Sequence, residues 1–323
     1  MSRVNLYRSA RAVAGASGEH AIDWTAAAEA SKALTPPGSL DIDEADRAGY
    51  RADVRDARRE IERVGGVDVT LPDAIDVHNR HHWIDANVTT FERVMTPIEH
   101  ELGSFPGIAR TINTGTMSVL LGYLGRNVLG QYDPLLLAES ADRTHALYFV
   151  HPNIVRVAEQ LDLDRDRFRR WIAFHEVTHA AEFATAPWLS AHLERHVETS
   201  LRTLSSGSFD ANAFETLDVA MTVVEGYAEL LMDHAFDQET GDLRRKLDDR
   251  RQGGSPLQRL FRRLLGLGLK RRQYERGKRF FETVARKRDL AFAGRVWNGP
   301  EALPTAAELD APAQWIDRMD ETR

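Results

Sequence analysis

The stretch HEVTHAAEF, His175 to Phe183, sets two histidines four residues apart with a glutamate beside the first. Its reading decides the fold, because residues i and i+4 reach one common point only when they lie on a helix, stacked on one face a turn apart. The flanks supply that helix. Asp164 and Asp166 are good N-terminal residues, and Phe168, Trp171, Ile172 and Phe174 recur every three to four positions until Pro187 ends the run. His175 and His179 share a face with Phe168, Trp171 and Ile172, so they point inward. A single inward histidine is usually a hydrogen-bonded core residue. Two stacked histidines with a glutamate about 100° away put three polar groups in a core, and each needs a partner.

A metal ion is the partner that uses all three. The chain has no cysteine, so disulfides, thiolate catalysis, iron–sulfur clusters and Cys-based zinc sites are excluded, and a metal must be held by His and carboxylate. Catalytic zinc takes three protein ligands and keeps a position for water. The third donor is expected downstream in AMTVVEGYAELLMDHAF, where Leu217, Met221, Val224, Ala228, Leu231 and Ala235 mark a helix. Glu225 is the expected third ligand. Glu229, one turn on, could accept the free ring N–H of a ligand histidine from the second coordination sphere. Glu229 and Asp233 have the alternative reading of an exposed acidic edge. Gly226 costs about 1 kcal/mol in a helix interior relative to Ala, which makes sense where another backbone comes close.

Other donors compete. Glu182 lies on the face of His175 and His179, but three ligands in one line close poorly around a tetrahedral ion, so it is set aside as a ligand. His192, His196 and Glu198, on a further helix containing HLERHVE, remain an alternative set, and His234 points away from Glu225. A di-iron carboxylate site could use Glu176-x-x-His179, but it needs a second E-x-x-H, and the sequence has none.

Outward from this helix, most segments read as helical: Ser39 to Val64, Ile84 to Leu102, and Thr111 to Leu129 with its small residues Gly115, Ser118, Gly122 and Gly125. Extended structure is expected only at Val67 to Val77 and at Ala146 to Val150, ALYFV. If ALYFV were an edge strand beside the cleft, it could pair with an extended peptide. The fold class is mainly α with one or two short β elements. The length suits one domain over 1–323, or an N-terminal lobe over 20–160 with a catalytic lobe over 161–323. No signal-like segment and no 18-residue apolar run occur, so a soluble, cytoplasmic protein without a membrane partner is expected.

Net charge is -7, yet Asp242 to Arg288 holds 17 basic against 5 acidic residues. This basic 244–288 segment carries Arg259, Arg262, Arg263, Lys270, Arg271, Arg272, Arg276, Lys278 and Arg279 with interleaved aromatics. It could bind nucleic acid or an acidic partner. The plainer account is packing against the acidic remainder of the chain. Asp248 to Pro256, DDRRQGGSP, reads as a flexible loop.

HExxH with a later helical glutamate resembles the gluzincin metalloproteases. The chain also resembles the DUF2342 family of zinc-dependent metalloproteases, one branch of which is labelled coenzyme F420 biosynthesis-associated. The likeness rests on Trp24, WIDAN from Trp83 to Asn87, LGYLGRNVLGQYDPLL from Leu121 to Leu136, HEVTHAAEFATAPWL, VEGYAELLMD, SPLQRLFRRLLGLGLKRRQY from Ser255 to Tyr274, and GPEALPTAAELDAPAQW from Gly299 to Trp315. It implies a zincin-like fold, zinc as cofactor, a peptide or protein substrate, His175, His179 and Glu225 as ligands, and Glu176 as general base. The interval between His179 and Glu225 is longer than in thermolysin-like gluzincins. For an oxyanion-stabilising group, Tyr227 and His151 are candidates beside their plainer readings of packing and a turn.

Overall fold

A computed structural model of the chain describes residues 4–71, 75–102, 107–133, 146–205, 210–236, 243, 245–246 and 267–321. The expected loop at 248–256 and most of the basic segment before residue 267 lie outside the described residues. The chain forms two compact units: Met1–Ala48, Pro72–Gln160 and Val197–Asp210 make one, and Gly49–Leu71, Leu161–His196 and Ala211–Arg323 the other.

The first unit contains helices α1 (Leu6–Ala14), α2 (Trp24–Leu34), the start of α3 (Glu44–Gly65), α4 (Arg80–Leu102), α5 (Gly107–Asn127) and α6 (His151–Gln160). Asn5 and Asp23 cap α1 and α2 by accepting from the backbone N–H of Arg8 and Ala26. The small-residue stripe of α5 works as expected. A Cβ on Gly122 would lie 2.9 Å from the Thr35 hydroxyl, and one on Gly125 would lie 3.2 Å from Ile84, so α5 sits close to the end of α2 and to α4. Ile22, Trp24, Ala27, Met117 and Leu121 form the core between these helices.

A three-stranded sheet completes this unit, in the order β1 (Ile75–His78), β3 (Ala146–Val150), β2 (Gly130–Asp133). β3 pairs parallel with β1, Ile75 opposite Leu147, and antiparallel with β2, Tyr132 opposite Leu147. ALYFV is therefore the central strand, and the condition for pairing with a peptide, that it lie at an edge, is not met. Both its hydrogen-bonding edges are taken, so it has none to offer a peptide. The extended stretch expected from Val67 is also shorter: Val69 buries its side chain and donates its N–H to Glu62 at 3.2 Å instead of entering the sheet. His151 begins α6 and is buried there.

The second unit carries most of α3, then α7 (Arg165–Thr185), the first part of α8 (Leu189–Ser205), α9 (Ala211–Ala235), α10 (Leu267–Lys287), and a C-terminal group of α11 (Leu290–Ala293), α12 (Ala306–Asp310) and α13 (Pro312–Glu321). Asp164 caps α7 by accepting from the Arg167 N–H. Arg169 on α7 meets Asp53 on α3 at 2.6 Å, both nearly out of solvent, and Gly49 leaves room for its guanidinium, since a Cβ there would stand 2.6 Å from it. α9 and α10 cross at two glycines. A Cβ on Gly226 would lie 2.6 Å from the Gly277 backbone, and one on Gly277 only 2.4 Å from the Thr222 carbonyl. This is the backbone approach that Gly226 suggested. No helix among the described residues is long and apolar enough to cross a membrane.

Candidate metal centre

The expected metal residues come from two helices of the second unit. α7 brings His175, Glu176 and His179, and α9 brings Glu225, the residue next to the Gly226–Gly277 crossing. Because the crossing admits no side chain, the rotation of α9 about its axis is closely held there, and with it the direction of Glu225. Glu176 and Glu225 are buried, and the two imidazoles are half-buried.

The imidazoles converge. Nε2 of His175 and Nε2 of His179 are 3.3 Å apart, with ring planes at 79°. Two nitrogens on a tetrahedral zinc at about 2.0–2.1 Å stand roughly 3.3–3.4 Å from each other. One donor atom from each of His175, His179 and Glu225 lies within 4.8 Å of the others. The donor set, two imidazoles and a carboxylate, suits zinc. Among the described residues this is the cluster of three His or carboxylate groups able to hold a metal ion, and His192, His196 and Glu198 do not form one. His192 and His196 face each other with ring centres 4.6 Å apart, and His192 also packs edge-on against Trp188.

Each imidazole is held from behind. Trp171 stacks on His175 at 5.7 Å and 7° between planes, and Phe168 continues the stack onto Trp171. Glu182, with a fully buried side chain, places Oε2 2.9 Å from Nδ1 of His179. The carboxylate on the outer nitrogen of His179 is thus the residue set aside as a ligand. Its signal was present in the i,i+3 spacing from His179 on an inward face. Glu229 is buried one turn beyond Glu225 on α9.

Electrostatics follow from this packing. Burial alone would push the His179 imidazole down, but the Glu182 carboxylate, with Glu225 and Glu176 beyond it, reverses the sign and holds it up at about 9. Burial lifts the Glu182 carboxyl to about 7 although His179 pulls it down. A protonated His179 directs one N–H at Glu182 and the other at His175, so the Nε2 to Nε2 line is where a proton and a metal ion compete. Tyr227, weighed for an oxyanion role, packs edge-on against Phe281 and Trp297 at 5.4 Å each and is buried.

The sequence matches the profile of the zincin-like metallopeptidases over residues 22–210 and 203–316. The chain belongs to the zincin-like metallopeptidase family. A solved structure from Chloroflexus aurantiacus, described as a candidate hydrolase with a novel fold, is similar to this metallopeptidase with a TM-score of 0.73 and 30% identity, covering 98% of this chain and 99% of that one. No curated protein matches. Three basic residues of α10 are engaged within this zincin-like chain. Arg276 meets Asp310 and the Ala306 carbonyl, Lys278 lies 3.8 Å from both Asp233 and Glu282, and Arg279 bonds the Glu275 carbonyl.

Proposed function

We propose that the chain is a zinc-dependent peptide-bond hydrolase in which His175, His179 and Glu225 hold the metal and Glu176 is the general base. The observation that carries this reading is the convergence of two Nε2 atoms at 3.3 Å with a carboxylate from a second helix closing the set. Zinc bound there lowers the pKa of water and polarises a carbonyl. Glu176 sits one residue from His175, about 100° round α7, and its carboxylate takes the proton of the attacking water and passes it to the leaving amine. Glu225 contributes a negative charge to the ligand set, and Glu229 backs α9 as a second buried carboxylate. Peptides or proteins are the substrates that membership of a metallopeptidase family implies.

A fluorogenic peptide library with zinc-loaded protein tests this. Cleavage by the wild type, reduced about 10²–10⁴-fold in Glu176→Gln with zinc still bound, is the expected result. Equal cleavage by Glu176→Gln would remove the general base, and a library left intact by zinc-loaded wild type would remove the hydrolase.

A further inference from the structure

Six large apolar side chains among the described residues stand exposed: Val4, Leu6 and Tyr7 at the start of α1, and Ile108, Ile112 and Val119 on α5. Their exposures run from 41% to 78%. Five fall on two neighbouring helices of the first unit, and Val4 lies just before the first of them. Exposed apolar residues scattered singly need no explanation, but a cluster does.

The helices meet side by side. A Cβ on Gly115 would touch Val13 at 3.4 Å, and Ile112 and Val119 lie about one turn to either side of Gly115. Leu6 is two turns before Val13 on the same flank of α1. Asn5 donates to the Ala33 carbonyl, and the Thr35 hydroxyl to Gly122. Both contacts run through the end of α2, which holds the start of α1 towards the Gly122 end of α5, the end that carries Val119.

The charges carried by these two helices have one sign. α1 and α5 contain Arg8, Arg11, Arg110 and Arg126 and no acidic residue, in a chain of net charge -7. We propose that the α1–α5 face lies on an anionic lipid surface, with Leu6, Tyr7, Ile108, Ile112 and Val119 entering the headgroup boundary and the arginines meeting lipid phosphates and carboxylates. An apolar stripe with an arginine rim on a surface helix suits the membrane interface, and tyrosine suits it too. A two-fold contact between copies would instead set two cationic rims against each other. The expectation of no membrane partner came from the absence of a spanning segment. A face that lies on the bilayer needs none.

Co-sedimentation of the full chain with vesicles tests this, using phosphatidylcholine alone and phosphatidylcholine with about one-third phosphatidylserine. Binding to the anionic vesicles only, weakening with added salt, is expected. Arg8→Gln with Arg11→Gln should weaken it roughly 30-fold, and Leu6→Ser with Ile112→Ser about tenfold or more. All four positions are on the surface, and unchanged circular dichroism and melting would show the fold intact. Absence of binding to anionic vesicles at low salt would overturn the proposal. So would binding that none of the variants alters, or a self-association in sedimentation velocity that Leu6→Ser with Ile112→Ser abolishes while no vesicles are bound.

Discussion

Glu182 Oε2 stands 2.9 Å from Nδ1 of His179, on the ring nitrogen opposite the one that faces His175. A carboxylate in that place fixes the ring and its tautomer and raises the basicity of the coordinating nitrogen. Glu182→Ala should therefore weaken zinc binding about 10–100-fold, with Glu182→Gln between it and the wild type, as read by chelator competition. Equal affinity in a folded Glu182→Ala would show that His179 is oriented by its packing alone.

The crossing of α9 and α10 leaves no space for a methyl group at either glycine. Gly226→Ala should destabilise the protein by roughly 1–3 kcal/mol through overpacking, although alanine is the better helix former. A thermal melt decides between these opposing effects, and a raised midpoint would mean the helices separate easily there.

Arg169 and Asp53 form a nearly buried ion pair. Removing Asp53 leaves the buried guanidinium with the exposed Asp166 carboxylate, 2.9 Å from Nη1, as its remaining ion-pair partner, so Asp53→Ala should cost about 3 kcal/mol in urea denaturation, with an apolar pair at both positions costing less. A loss below about 1 kcal/mol, the value of a surface pair, would place Arg169 in contact with water.

Burial, with His196 and Arg195 nearby, holds the His192 imidazole down at about 4. It stays neutral in the folded chain where the unfolded chain already binds a proton, so it withdraws stability as pH falls from about 6.5 towards 4. Melting curves of wild type and His192→Gln should draw together across that window as the wild type loses its advantage. A constant difference would mean that His192 titrates normally.

The sequence shows α7 well because its information is local: a capping aspartate, an apolar period and a breaker. The Gly226 reading succeeded for a related reason, since a glycine inside an apolar helix has few causes besides close approach. β2, Gly130–Asp133, escaped because GQYD has no alternation, and it is a strand only through its partner β3. β1 pairs with β3 across some 70 residues of chain, which no local pattern reveals, and this pairing, with β2 on the other side, is what makes ALYFV central. Glu182 was visible on the correct face, but its spacing could not tell a ligand from a residue that holds a ligand. That distinction depends on which imidazole nitrogen turns outward.

The central claim is the three-residue metal site, and metal content by mass spectrometry on protein purified without added metal tests it most directly. One zinc per chain in the wild type, lost in His179→Ala and in Glu225→Ala while both remain folded, is the predicted result. Zinc retained in Glu225→Ala, or a wild type that takes up no zinc even when it is supplied, would contradict it.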